Sequence, residues 1–136
     1  MHCIVLLISV YYCWQDFEMI KVIVAGGRDF YDYGLLCNVL DYQLSRRTID
    51  EVEIVCGMAR GADLLGKKYA DSRGIKVVEF PADWDTKGKA AGYVRNADMA
   101  DYATHLVLFW DGESKGSKHM YDLANKKGLV VKVVRY

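Results

Sequence analysis

From residue 20 onward, short apolar runs alternate with amphipathic stretches. Ile20, Val22, Ile23, Val24 and Ala25 form a run that stops at Gly26 and Gly27, the profile of a strand buried on both faces of a parallel sheet. Asp29 and Asp32 follow, each able to cap a helix, and Leu36, Val39, Leu40 and Leu44 then recur at helical spacing. A second strand is expected over 52–56, halted by Gly57, and a helix over 61–73 closed by Gly74. The third strand, 75–80, ends at Pro81. A helix with a weak apolar stripe is expected over 89–101, and the fourth strand over 105–110. A last helix over 115–127 turns Met120, Leu123 and Ala124 inward and stops at Gly128, and a fifth strand takes 129–134.

This alternation, with short connections, predicts an α/β domain: a Rossmann-like, doubly wound, mostly parallel sheet of about five core strands with helices on both faces. The chain of 136 residues is long enough for one such domain. Residues 1–18 stand apart. Eight of the first ten are apolar, yet the run is too short to span a bilayer and lacks the basic start of a secretory signal. It is expected as an extension upstream of a start at Met19, as an extra strand pairing on a sheet edge or in a dimer, or, least of the three, as a weak membrane signal. The organisation is therefore an apolar extension, 1–18, and one domain, 19–136.

Lys plus Arg number 18 and Asp plus Glu 18, for a formal net charge of zero. That balance excludes a purely electrostatic nucleic-acid binder and argues against nucleic acid as a partner, while leaving room for a local basic pocket. Cys3, Cys13, Cys37 and Cys56 show no CxxC spacing. No metal site, redox pair or disulfide framework is expected, and the cytoplasm, with no membrane contact, is the expected compartment.

In an open α/β sheet, ligands bind beyond the carboxyl ends of the strands. The candidates are therefore Gly26, Gly27, Arg28 and Asp29 after the first strand, and Gly57, Arg60, Gly61 and Asp63 after the second. Asp83 and Trp84 follow the third strand, and Gly116 and Ser117 come after the fourth. Glycines let a backbone approach a phosphate, helix N-termini present free N–H groups, and arginines add charge-assisted hydrogen bonds. Each residue also has a plainer reading. Gly26-Gly27 as a tight turn, Arg60 as a solvated side chain, Asp63 as a complement to its helix dipole, and Ser117 as an N-cap all remain open. Trp84 and Trp110 can stack on a base or simply pack, and His105 and His119 are expected to be structural. Neither GxGxxG nor GxxxxGK[ST] occurs, so standard dinucleotide and P-loop readings fail.

Together, GGRDF at 26–30, GMARGAD at 57–63, PADW at 81–84, AGYVRNADM at 91–99 and FWDGESKGS at 109–117 resemble the SLOG superfamily, specifically its YspA-like, cpYpsA-related branch. The resemblance covers about residues 20–136. It implies a site for a nucleotide or nucleotide-derived ligand of the NAD or ADP-ribose type, with Arg95 and Asn96 joining the residues above, and it suggests a homo-oligomer. The ARGAD stretch is also similar to a loop of the DNA-processing protein A family. A further relative, the lysine-decarboxylase-like phosphoribohydrolases, works with an arginine that Arg95 matches and a glutamate after a GGxGT loop. Here Lys118, His119 and Met120 follow Gly116-Ser117, so the glutamate is missing. N-glycoside hydrolysis needs a carboxylate near its oxocarbenium-like transition state; Glu113, Asp83 and Asp63 are the available substitutes. Binding, as a sensor or sequestering domain with no cofactor required, is therefore expected over catalysis. The alternatives are a nucleosidase or phosphoribohydrolase with Arg95 catalytic, and a single-stranded DNA-binding module.

Overall fold

The computed structural model describes residues 18–136. In chain order the elements are β1 (Ile20–Gly26), α1 (Tyr33–Gln43), β2 (Val52–Cys56), α2 (Ala62–Arg73), β3 (Lys76–Glu79), α3 (Trp84–Lys87), α4 (Ala91–Tyr102), β4 (His105–Trp110), α5 (Lys115–Lys126) and β5 (Val130–Arg135). The strands form one sheet in the order β3-β2-β1-β4-β5. All four pairings are parallel. The α/β, Rossmann-like expectation is met strand for strand. The extra N-terminal strand, Cys3 and Cys13 lie outside the described residues.

The pleat of β1 explains the two layers. Ile20, Val22 and Val24 point to one face, where Leu36, Leu40 and Leu44 from α1 and its end join Ala62, Tyr69 and Ala70 of α2. Ile23 and Ala25 point to the other, against Met99 and Ala100 of α4 and Met120 and Ala124 of α5. The central strands are apolar apart from Lys21, Glu53 and His105 near their amino ends, because both faces are covered. Cys56 is fully buried, which pushes its thiol up to about 11 and leaves it an inert core group, whereas Cys37 is half-buried. Among the described residues no helix is long and apolar enough to cross a membrane.

Local chemistry sets the ends of the helices. Asp32, not Asp29, caps α1, its Oδ1 accepting from the Leu35 N–H at 3.0 Å. Gly74 closes α2 in the left-handed conformation. The short helix α3 falls where only a loop is expected; Asp83 starts it by accepting from the Thr86 N–H at 3.2 Å. One turn of helix is too short to leave an apolar period, so no hydrophobic pattern marks it.

The chain forms β1, β2 and β3 toward one edge and then crosses to β4 on the other side of β1. Strand order reverses between β1 and β4, and a crevice opens there at the carboxyl ends.

Candidate functional site

A cavity of about 390 Å3 occupies this crevice. The β1 loop supplies Gly27, Arg28 and Asp29, the β2 loop Ala59 and Arg60, and the start of α2 Asp63. Arg95 and Asn96 come from α4, and Asp111, Ser114, Gly116 and Ser117 from the β4 loop and the start of α5. A second compartment of about 560 Å3 adjoins it on the β2–β3 side. Its walls are Gly57, Met58, Pro81, Ala82 and Trp84, and it shares Arg28, Ala59, Arg60 and Arg95 with the first. Both volumes fall in the range of small-molecule sites, roughly 300–1,000 Å3.

The loops are locked to one another through backbone groups. The Gly27 carbonyl accepts from the Phe30 and Ala62 N–H groups, each at 3.2 Å, joining the β1 loop to the start of α2. Gly61 makes this possible. Its φ is +83°, and a Cβ there would lie 2.3 Å from the Gly27 carbonyl oxygen and 2.7 Å from the Arg28 backbone. Gly57 is needed for space: a Cβ would come within 2.7 Å of both Arg95 Nη1 and Asp63 Oδ2. Gly26 meets the carbonyl of Phe109 in the same way, at 2.1 Å. Between these glycines Met58 holds a left-handed φ of 64°, with its N–H donating to Cys56 Sγ at 3.3 Å. Such strain is concentrated at ligand sites in folded proteins.

At the far wall, Asp111 Oδ1 accepts from the Glu113 and Ser114 N–H groups, both at 2.9 Å, and holds the β4 loop in a turn. These bonds hold its carboxyl below the usual range. Ser114 is the N-cap of α5, its hydroxyl accepting from the Ser117 N–H at 3.3 Å. Ser117 is therefore not the cap. It is 4% exposed, lines the cavity, and its Oγ has no hydrogen-bond partner. A buried hydroxyl without a partner costs free energy, about 1–3 kcal/mol, and here it lies in the first turn of a helix, where N–H groups gather positive potential.

The three arginines differ. Arg95 is tied to the protein: Nη1 donates to the Gly57 carbonyl, and Nε to Asn96 Oδ1 at 3.0 Å. Asn96 in turn meets His119 Nδ1 at 3.2 Å, and His119 packs edge-on against Tyr93, so α4 and α5 are held together behind the cavity. Among the described residues, Arg28 and Arg60 have neither an ion pair nor a side-chain hydrogen bond, and both are exposed. Asp63 is 5% exposed, beside the Ala59 N–H at 3.4 Å. Burial pushes its carboxyl up to about 6, although Arg95, the Ala59 amide and Arg28 pull it down.

Of the expected site residues, Gly26, Gly27, Arg28, Asp29, Arg60, Asp63, Arg95, Asn96, Gly116 and Ser117 line the first compartment. Gly57 and Trp84 line the second, and Gly61 supports the loops without lining either. Asp83 and Glu113 line neither, Asp83 being the cap of α3. Asp29 is partly committed, accepting from the Tyr136 hydroxyl at 2.6 Å. Asp111 and Ser114, in the loop expected to carry chemistry but not among the expected ligand-binding residues, also line the first compartment; an Asp three residues ahead of a Ser at the foot of a helix is the turn-and-cap signature that marks them. Among the described residues no cluster of three His, Cys, Asp or Glu is placed to hold a metal ion.

The model of the YspA, cpYpsA-related SLOG family matches residues 20–86. The gene 61 protein of Mycobacterium phage D29 is 32% identical over 119 residues, spanning 83% of this chain and 94% of the phage protein. Among solved structures, DNA processing protein A from Streptococcus pneumoniae superimposes with a TM-score of 0.68 at 18% identity, over 92% of this chain and 52% of that one. The chain thus spans about half the length of that relative. DNA processing protein A from Helicobacter pylori, described for its single-stranded DNA binding mode, gives a TM-score of 0.60 at 17% identity, over 90% and 68%. These likenesses establish the fold.

They also correct one expectation. Zero net charge argued against nucleic acid as a partner, and that exclusion does not stand, because solved proteins sharing this fold are DNA-processing proteins, one of them a binder of single strands. Net charge sums over the whole surface, whereas here three arginines converge on one crevice. The sheet order, the arginine-walled crevice at the strand ends and the matches to relatives agree, and the chain belongs to the YspA, cpYpsA-related SLOG family.

Proposed function

We propose that the crevice binds a nucleotide unit through its phosphate, held between the start of α5 and the guanidiniums of Arg28 and Arg60. The observation that carries this reading is the Ser117 hydroxyl, buried in the cavity wall with no partner in the protein. An anion there would accept from the hydroxyl and from N–H groups of the first helical turn. Two arginines without partners beside it supply the charge that a phosphate needs. Binding is the activity these groups support: a hydroxyl, helix N–H groups and guanidiniums hold an anion but do not by themselves activate a water.

The unit arrives free, as a nucleotide derivative, or within a single strand. The concave shape of the cavity favours the first source; the fold shared with DNA processing protein A favours the second. Titration calorimetry of the full chain with AMP, ADP-ribose and an oligothymidylate distinguishes them. For a free nucleotide, AMP or ADP-ribose binds and the oligomer fails to compete. For a strand, affinity rises with oligomer length and falls steeply with salt. In either case Arg60→Ala and Ser117→Ala weaken binding, the first by about tenfold or more. If none of these ligands gives heat or a thermal shift, the reading is wrong.

A further inference from the structure

We infer that the second compartment is a base-binding subsite in which Trp84 is the stacking platform, so that the ligand's aromatic base, and not its phosphate alone, is recognised. This rests on the phosphate reading above and extends it across the shared arginine wall.

The two tryptophans of the described chain near the site are used in opposite ways. Trp110 is committed to the fold: its Nε1 donates to the Ser114 carbonyl at 3.2 Å, its ring stacks with Tyr121 at 6.2 Å, and the Arg135 guanidinium lies over it at 5.5 Å. Trp84 is 52% exposed and, among the described residues, has no ring stacking or cation contact. Its backbone is held in place. Asp83 caps the helix that Trp84 begins, and the rim of the indole lies 3.6 Å from where a Cβ on Gly92 would sit, with Arg95 Nη2 at 3.8 Å from the same point. A side chain at residue 92 would thus stand in van der Waals contact with both the indole rim and the guanidinium.

An indole exposed in the wall of a cavity offers a flat, apolar π face to whatever enters it. It fits a flat aromatic ligand group. The compartment continues into the phosphate cavity through Arg28, Arg60 and Arg95, so a base on Trp84 and a phosphate at the arginines belong to one ligand. Stacking of a base on an aromatic side chain is tolerant of base identity and contributes on the order of ten- to a hundredfold in affinity.

The test compares ribose 5-phosphate, which has the phosphate and sugar but no base, with AMP, on the full chain. The expected result is that AMP binds at least tenfold more tightly. Trp84→Ala then brings AMP down to within about twofold of ribose 5-phosphate, and Trp84→Phe keeps most of the advantage. AMP also quenches tryptophan fluorescence in the unmodified protein and leaves that of Trp84→Phe unchanged, a signal that a merely structural Trp84 would not produce. Circular dichroism on each variant separates loss of binding from loss of fold. An AMP advantage that survives Trp84→Ala, or equal affinity for the two probes, overturns the inference while the phosphate site stands. If both probes fail but the oligothymidylate binds, Trp84→Ala is expected to weaken that strand at least tenfold, and an unchanged affinity overturns the inference; failure of all three ligands removes the phosphate site itself, and the subsite with it.

Discussion

The two ends of the sheet treat their polar groups differently. At the amino ends of the strands the polar side chains are paired with one another. Glu53, nearly buried, accepts from the Tyr102 hydroxyl and meets Lys76 Nζ at 3.5 Å. Thr104 accepts from the Lys21 N–H at 2.9 Å and shares a hydrogen with His105 at 2.6 Å, and Lys21 lies 4.3 Å over the Tyr102 ring. At the carboxyl ends the backbone is as tightly tied, but Arg28, Arg60 and the Ser117 hydroxyl have no hydrogen-bond or ion-pair partner among the described residues. One end is satisfied by the protein itself. The other leaves these groups without a partner among the described residues, which is what supports the proposed reading of it as a binding site.

The comparison is open to attack at both ends. The largest effect is expected at the backbone of the carboxyl end. Gly61→Ala combines a positive φ with a collision against the β1 loop, and should cost roughly 2–4 kcal/mol in a urea unfolding measurement. Little or no loss would mean that the loops are not locked as described.

Next is the pH dependence of Asp63. Its carboxyl is raised to about 6 by burial, above the unfolded value of about 3.9. The native state therefore holds the proton more strongly, and the resulting stability is present below about pH 4 and is lost as pH rises through 6. Between those limits the loss is on the order of 2–3 kcal/mol, and Asp63→Asn should remove it. An unfolding curve for Asp63→Asn with the same pH slope as the unmodified protein counts against it. A dinucleoside phosphodiester, whose own charge is constant, should bind more weakly at pH 7.5 than at pH 5.5, because ionised Asp63 repels it.

At the amino end, Tyr102→Phe removes the hydrogen bond to buried Glu53, leaving only the more distant Lys76. A loss of about 1–3 kcal/mol is expected, with no change in nucleotide affinity. A binding defect in that variant would blur the division between the two ends.

The smallest effect on stability belongs to the residues facing the cavity. Gly116 lines it, yet a Cβ there meets nothing within 4 Å. Gly116→Ala should leave the fold unchanged or more stable by up to about 1 kcal/mol, while crowding the bound phosphate. Unchanged affinity alongside that stability would place the ligand elsewhere in the crevice.

The elements themselves were largely readable in the chain. The apolar run at 20–25 and its counterpart at 105–110 are strands because a parallel sheet covered on both faces leaves no polar alternation, and Gly74 ends its helix because only glycine adopts the left-handed cap cheaply. Residues that follow a strand could be listed as candidates on topology alone, and eight of them do meet in one cavity, where Arg95 and Asn96, pointed to only by the resemblance, join them. The short helix α3 escaped, since one turn carries no period, and so did the division of labour among chemically similar residues.

What the sequence determined by itself was the kind of fold and the region of chemistry, because period, glycine and proline act locally and leave a trace in any few residues. Only the tertiary structure decided which of two serines caps α5 and which is left without a partner, which arginine is anchored, and which tryptophan is committed to packing. Two of those outcomes depend on groups apart in the chain: Gly57 against Arg95, and Tyr121 and Arg135 against Trp110. A residue's type sets what it can bond to, but whether that capacity is used within the protein or left for a ligand is settled only when the loops close on one another.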